Sequence, residues 1–463
     1  MIKKLLIANR GEIVVRVMKT CRKLGIKTVA VYSDADRNMF YLKEADEAFH
    51  IGPSNPIKSY LNIEAILDAA KQSGADAIHP GYGFLSENSL FADAVVTNGI
   101  TWVGPPPAVL MAIDSKCYCR KIATGAGVSV IPGTIDTISS ADDICSYASE
   151  HGYPLVLKLD KGGGGKGIEV VREDQQAREA FERLSRIGML AFGHPEAYIE
   201  KEVISPRHIE IQFLADGSGN CVCLGERECS IQRRYQKIIE ESPSPVVHEK
   251  DRAMLFDCTA KLATAMGYQG AGTMEFLRSA EGQFFFMEVN ARLQVEHPVT
   301  EFLTGIDIVE QQLRIASGES LAWRQADIRL RGHAIEARVY AEDPVSFCPS
   351  PGTVSHLQFP ATDPAYLRID HAMEAGAAVP PYYDPLLAKV IAWGESRRDA
   401  VDKLVRALSE FYVEGIKTTI PANLLILSSP KYLKGDLDTG FIDTLYANAT
   451  PDQLSGKPLW PCM

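Results

Sequence analysis

The sequence predicts a multidomain protein of the α/β and α+β classes. Three observations carry that reading. A chain of 463 residues is too long for one compact core. Its first hundred or so residues alternate strand-like runs with amphipathic helical stretches, the pattern of βαβ units. Residues 204–331 read as strand-rich α+β.

In LLIANRGEIVVRVMKTCRKLGIKTVAVYS we read strand, turn, helix and second strand. LNIEAILDAAKQSG is helical, ADAIHPGYG runs from strand into loop, and FADAVVTNGITWVG is helix then strand. No G-x-G-x-x-G follows the first strand, so a dinucleotide site is not indicated. This first domain is placed at residues 1–113. A second spans 114–331 and contains a smaller unit at 132–203, where YPLVLKL and GIEVV flank a glycine-rich loop. The helix DQQAREAFERLSRIG and the strand AYIEKEV follow. RHIEIQFLAD and NCVCLGERE continue as strands. RGHAIEARVYAEDP opens a third domain, 332–446, whose later helix is RRDAVDKLVRALSEF. Residues 447–463 form a tail expected to be poorly ordered.

Composition narrows the function classes. The formal net charge of −11 disfavours a general nucleic-acid or anionic-membrane binder. The N-terminus lacks the apolar run of a signal peptide, and no stretch approaches a membrane span, so the expected location is cytoplasmic. The ten cysteines are read as free thiols, since their spacings do not match zinc sites.

The strongest chemical signal lies in GAGTMEFLRSAEGQFFFMEVNARLQVEHPVTE, residues 270–301. Two apolar strands flank Glu281-Gly282, read as a two-residue hairpin turn with Ala280 opposite Gln283. Counting outward sets Glu275 directly opposite Glu288. Like charges so placed repel, and a divalent cation, Mg²⁺ first, is the natural compensation. Glu288, Asn290, Arg292, Gln294 and Glu296 share one parity, with Met287, Val289 and Leu293 on the other, which suggests an anion pocket beside a metal site.

The loop GGGGKG, 162–167, is not a Walker A motif, because no Ser or Thr follows its lysine and no helix follows the loop. A glycine hairpin whose amides meet phosphates fits better, with Lys116 and Lys158 as companions.

These stretches resemble the biotin carboxylase component of biotin-dependent carboxylases, within the ATP-grasp superfamily. IANRGEI (7–13), HPGYGFLSEN (79–88), PRHIEIQ (206–212), ERECSIQRR (226–234), EVNARLQVEHPVTE (288–301), EARVYAEDP (336–344) and PPYYDPLLAK (380–389) carry the resemblance. It implies an ATP-grasp fold with a Rossmann-like pre-ATP-grasp domain, a mobile glycine-rich lid and a C-terminal biotin carboxylase domain. It also implies a reaction: ATP, bicarbonate and carrier-bound biotin give ADP, phosphate and carboxybiotin through carboxyphosphate.

By position, the resemblance places Glu275, Glu288 and Asn290 on Mg²⁺ or Mn²⁺. It places Lys116, Lys158, Gly163, Gly164 and Gly165 on ATP phosphates. Glu200 and the backbone of Lys201 and Val203 fall at adenine, His208 at the ribose and Gln232 near the nucleotide. Lys237, Arg292, Gln294, the Val295 backbone and Glu296 fall around bicarbonate. Glu296 is the implied base, with burial near other negative groups expected to raise its pKa. Arg338 would steady the biotin oxyanion, and Tyr82 would lie beside the biotin ring.

Some positions depart from the family pattern. Asp160 follows Lys158-Leu159 where small residues are usual, and is expected to oppose the phosphates, with Lys161 as an offset. Asp114-Ser115 replaces the usual Gly-Asp or Gly-Ser before Lys116. Tyr235 stands where His or Asn is common, and Cys229 is a candidate reactive thiol. The Met-Lys-Met biotinylation signal is absent from the sequence. The resemblance therefore implies biotin on a separate biotin carboxyl carrier protein, a separate carboxyltransferase and a homodimer. Acetyl-CoA, in fatty acid biosynthesis, ranks first as acceptor. Pyruvate or another 2-oxo acid and propionyl-CoA are alternatives. Another ATP-grasp ligase and a catalytically silent ATP-binding scaffold are the competing readings.

Overall fold

The computed structural model describes residues 2–162 and 167–450. Among these, five parallel strands open the chain: β1 (Lys4–Ile7), β2 (Lys27–Ser33), β3 (Glu47–Gly52), β4 (Ala77–His79) and β5 (Thr101–Trp102), in the order β3-β2-β1-β4-β5. The helix Glu12–Leu24 between β1 and β2 is the expected crossover. It ends at Gly25, whose φ of 70° is the left-handed cap that glycine accommodates. The helices Ile63–Ser73 and Ser89–Thr97 are each capped by an asparagine side chain, Asn62 and Asn88. β3 escapes a sequence reading because it is an edge strand with only Ile51 buried.

The smaller unit is a three-stranded antiparallel sheet of β6 (Leu155–Leu159), β7 (Ile168–Val171) and β8 (Ala197–Lys201). Lys158 pairs with Ile168, so the strands flanking the glycine loop form the expected hairpin. Gly163, Gly164 and Gly165 lie outside the described residues. The helices Ala141–His151 and Asp174–Phe192 back this sheet over a small apolar core.

The remaining strands include β9 (Arg207–Ala215), β10 (Cys221–Arg233), β11 (Gln236–Ser242), β12 (Gly270–Arg278), β13 (Phe284–Asn290) and β14 (His333–Tyr340). Then come β15 (Gly352–Thr353), β16 (His356–Gln358), β17 (Leu367–His371), β18 (Ala378–Val379), β19 (Leu386–Gly394) and β20 (Tyr412–Glu414). An eight-stranded antiparallel sheet runs β13-β12-β9-β10-β11-β14-β19-β17. Because β11 pairs β14, this sheet continues across residues 331 and 332, where the sequence suggests a domain boundary. The helix Arg397–Glu410 packs apolar residues such as Leu404 and Leu408 beneath β19. Helix Phe441–Asn448 extends past residue 446, and residues 451–463 of the expected tail lie outside the described residues.

Candidate active site

The site begins with register. β12 and β13 do set Glu275 opposite Glu288, but not by the expected route. The hairpin loop has three residues, with Ser279 donating its backbone N–H to the Gln283 carbonyl, and Arg278, Leu277 and Phe276 face Phe284, Phe285 and Phe286. A β-bulge at Met287 then restores the glutamate pairing. The expected alternation breaks there, and Met287 joins Glu288 on the cavity wall instead of facing away.

The row continues across the sheet. Glu275 on β12 also lies directly opposite Glu210 on β9, and Glu210 lies opposite Arg227 on β10. Three carboxylates thus stand side by side, which is untenable without cations. Arg227 pairs with Glu210, and Lys237 on β11 places Nζ 2.6 Å from Glu210 Oε2, 2.9 Å from Glu275 Oε1 and 2.7 Å from Glu296 Oε1. His208 Nε2 lies 3.0 Å from Glu275 Oε2. Burial disfavours a charged Glu275, but Lys237 and His208 hold its carboxyl far below the usual range.

Glu288 differs. Among the described residues no cation pairs with it, and burial together with Glu275 pushes its carboxyl up. An under-compensated carboxylate beside Glu275, open to the cavity, fits a divalent cation. Asn290 joins them, although its Oδ1 already accepts from Arg292 at 3.0 Å and its Nδ2 is unpartnered. His208, Glu210 and Glu275 also cluster closely enough to hold an ion, but Lys237 and Arg227 already fill that role there.

Glu296 is fully buried, behind the cavity wall rather than on it. Lys237 holds Oε1, and Arg338 Nη2 lies 2.9 Å from Oε2 and 2.5 Å from Glu240 Oε1. The upward shift expected from the sequence does not occur. Burial does oppose the charge, but Lys237, Arg338 and Arg227 hold the Glu296 carboxyl well below the usual range. Arg292 bonds Glu87 at 3.0 Å and the Gln294 Oε1 at 2.9 Å, and the Gln294 Nε2 is buried without a partner.

One cavity of about 980 Å³ gathers Lys116, Lys158, Glu200, Lys201, Val203, His208, Gln232, Lys237 and Glu275 with Glu288, Asn290, Arg292, Gln294, Val295, Arg338 and Tyr82. Glu200 does not offer its carboxylate to the cavity. Arg120 bonds Oε1 at 2.7 Å and Lys158 lies 2.6 Å from Oε2. The Lys201 N–H donates to the Pro132 carbonyl at 2.8 Å, and Lys201 lines the cavity. His208 serves Glu275, and Gln232 approaches it at 3.5 Å. Tyr82 sits on the loop of HPGYG, which Asn9 closes by donating 2.8 Å hydrogen bonds to the Pro80 and Tyr82 carbonyls. Gly81, at φ 66°, lets Asn9 come close, since a Cβ there would meet Asn9 Nδ2 at 2.7 Å.

Three departures read differently in the structure. Asp160 is buried and accepts from the Cys117 N–H at 2.7 Å and the Ser115 hydroxyl at 3.1 Å. It therefore secures the start of helix Lys116–Gly125, the helix that carries Lys116, rather than facing phosphates. Tyr235 lies on the cavity wall, and with Arg234 forms the two-residue β10–β11 turn, both at positive φ. His or Asn tolerates that conformation better than Tyr. Cys229 is fully buried, and burial with Glu210 pushes its thiol well up, so it is an inert thiol.

Three family models cover nearly all of the chain: "Biotin carboxylase, N-terminal domain" over residues 1–110, "Carbamoyl-phosphate synthase L chain, ATP binding domain" over 115–324, and "Biotin carboxylase C-terminal domain" over 336–444. Biotin carboxylase 1 of Bacillus subtilis is 47% identical over 446 residues, spanning 96% of this chain and 99% of that protein. The chain belongs to the biotin carboxylase family. The enzyme is an ATP-dependent ligase of the ATP-grasp superfamily that acts with Mg²⁺, ATP and biotin. A pyruvate carboxylase component of Methanothermobacter thermautotrophicus is 46% identical over 444 residues, 96% of this chain and 90% of that one. The biotin carboxylase domain dimer of Hydrogenobacter thermophilus 2-oxoglutarate carboxylase, solved with MgADP, ADP and bicarbonate, superposes with a TM-score of 0.94. It is 42% identical and covers 97% of this chain and 100% of that one. Among the described residues of the enzyme, no helix is long and apolar enough to cross a membrane.

Proposed function

We propose that the enzyme carboxylates biotin on a separate carrier protein, with the roles divided along the cavity. The observation that carries this reading is the Lys237–Glu296–Arg338 cluster, with Lys237 and Arg338 on the cavity wall and Glu296 behind it, next to an under-compensated Glu288. Lys116 and Lys158, with the amides of Gly163, Gly164 and Gly165, hold ATP phosphates. The Lys201 carbonyl and Val203 border the base, with His208 and Gln232 near the ribose. Glu275, Glu288 and Asn290 are the residues that would hold Mg²⁺, which when bound supplies positive charge against the phosphates.

Bicarbonate, an anion, enters among Arg292, Gln294 and the Val295 backbone and competes for Lys237. That competition frees Glu296 Oε1 to take the bicarbonate proton. The bicarbonate oxygen then attacks the terminal phosphorus and ADP leaves, giving carboxyphosphate. Its decomposition yields carbon dioxide and phosphate. The phosphate takes the proton from biotin N1, and N1 bonds the carbon. Arg338 faces the oxyanion that develops on the ureido ring, with Tyr82 beside it.

A low Glu296 pKa weakens it as a base but keeps it ionised and ready at neutral pH. Its basicity rises once Lys237 or Arg338 turns to substrate. Acetyl-CoA is the proposed final acceptor, delivered through a separate carboxyltransferase. Similar identity to relatives named for pyruvate and 2-oxoglutarate makes 2-oxo acids the second reading. A homodimer is proposed on the likeness to a structure described as a dimer.

Purified enzyme should release ADP in a bicarbonate- and biotin-dependent manner. ADP release indifferent to both contradicts the reading, and absence of ATP turnover favours the silent scaffold. Labelled bicarbonate, supplied with the carrier and carboxyltransferase of the same cells, should reach acetyl-CoA. Label in pyruvate or 2-oxoglutarate instead overturns the acceptor.

A further inference from the structure

Lys389 lies on β19, more than 90 residues from any proposed site residue except Arg338, and its side chain is completely buried. Its Nζ donates to the Val295 carbonyl at 2.8 Å, lies 3.1 Å from Glu12 Oε1 and reaches Asp370 Oδ2 at 3.8 Å. Glu12 opens the first helix of the parallel-sheet domain, and its Oε1 also accepts from the Tyr82 hydroxyl. A single buried ammonium thus meets the N-terminal domain, the loop after β13 and the C-terminal part of the large sheet.

Two features make this more than packing. A buried ammonium costs free energy, and an apolar side chain of the same reach would fill the space without that cost. The Val295 carbonyl, moreover, belongs to the peptide that carries the nitrogen of Glu296. That peptide lies after β13 has ended at Asn290 and before helix His297–Thr304 begins, so no sheet ladder orients it. Lys389 orients that peptide through its carbonyl, while Lys237 and Arg338 grip the Glu296 carboxylate.

We propose that Lys389 is a positioning residue for the base, pinning the Val295–Glu296 peptide and, through Glu12, tying it to Tyr82 on the biotin side. The inference rests on the assignment of Glu296 as base. The groups around Lys389 are Glu12, Asp370, Glu336, His297 and the Val295 carbonyl, with Arg338 directly opposite it on β14 and Arg368 behind Asp370 at 2.5 Å. Occupancy of the biotin side would bear on the bicarbonate side through one short chain of two hydrogen bonds and an ion pair.

The test compares Lys389→Met with the unaltered enzyme for the bicarbonate KM, the ATP KM and the thermal midpoint. The expected result is a rise of about 10- to 100-fold in the bicarbonate KM with the ATP KM unchanged, because a small misplacement of a reacting group costs that much. Parallel changes in both KM values, or no change in either, overturn the inference. Tyr82→Phe removes one hydroxyl and no packing volume, so it serves even if Lys389→Met fails to fold. Assayed at saturating biotin, it should raise the bicarbonate KM, and an unchanged value overturns the link through Glu12. Glu296→Gln separates the two levels. If it still carboxylates biotin, the base assignment fails. If it is inactive while Lys389→Met keeps a normal bicarbonate KM, the positioning role alone fails.

Discussion

Lys237 Nζ lies 2.7 Å from Glu296 Oε1, so the carboxylate proposed as base is ion-paired and buried at once. The same ammonium touches Glu210 and Glu275, which makes Lys237 the electrostatic centre joining the metal row to the bicarbonate pocket. Removing one partner of such a buried cluster leaves uncompensated charge, at a cost of about 3–5 kcal/mol. Lys237→Met should therefore lower stability by about that amount as well as abolish turnover. Denaturant titration checks it, and a midpoint near that of the unaltered enzyme would show that the carboxylates take up protons instead.

Asp160→Ala is expected to raise the ATP KM. The side chain secures the first turn of helix Lys116–Gly125, so its loss costs about 1 kcal/mol and loosens Lys116, which corresponds to about a fivefold weaker site. Steady-state kinetics in ATP checks this. A fall in KM would restore the view that Asp160 repels the phosphates.

Glu288→Gln should act in opposite directions on stability and on metal use. It removes the repulsion with directly opposed Glu275, so the protein without metal should melt no lower than the unaltered one. The Mg²⁺ concentration for half-maximal activity should rise by about tenfold or more, as expected for loss of a charged ligand. Calorimetry with and without Mg²⁺, beside a metal titration, separates the two effects.

The acid limb of the rate profile should belong to Glu240 rather than Glu296. Burial raises the Glu240 carboxyl to about 7, with Arg338 opposing the shift. Below that pH Glu240 is protonated and gives up its hold on Arg338; above it the pair is intact. Glu296 is held low and stays ionised across the same range. Activity should therefore fall as pH drops through about 7, and Glu240→Gln should flatten that limb in a pH series.

Glu241 provides a stability test of the sheet junction. Burial works against its charge, but His333 and Arg397 lower its carboxyl to about 2. A depressed carboxyl contributes stability above its ordinary pKa of 4.5 that is lost as pH falls towards 2. Glu241→Gln should cost about 3 kcal/mol at neutral pH, in line with a shift of that size, and progressively less in acid. Urea denaturation at a series of pH values reads the difference.

Much of this site is legible in the sequence because sheets impose parity and register. The Glu275–Glu288 opposition follows from the hairpin, yet the loop is one residue longer than expected and the bulge at Met287 cancels the error. Neither the bulge nor the extra loop residue has a local composition signal, since Met287 and Ala280 suit regular strands as well. Glu210 is open to the same logic, as His208, Glu210 and Gln212 alternate on β9. Asp160 resists placement from sequence because its partners, Ser115 and Cys117, are more than 40 residues away. The direction of the Glu296 pKa shift is hidden for a similar reason. Lys237 and Arg338 come from separate strands, and only the folded sheet sets both against one carboxylate.

The most direct measurement is biotin carboxylation by Glu296→Gln, followed with labelled bicarbonate beside an ATP-binding titration. Carboxylation should fall by about 100-fold or more, as expected for loss of a general base, with ATP affinity nearly unchanged. Carboxylation close to that of the unaltered enzyme, or loss of ATP binding in step with it, would contradict the role of Glu296 as the base.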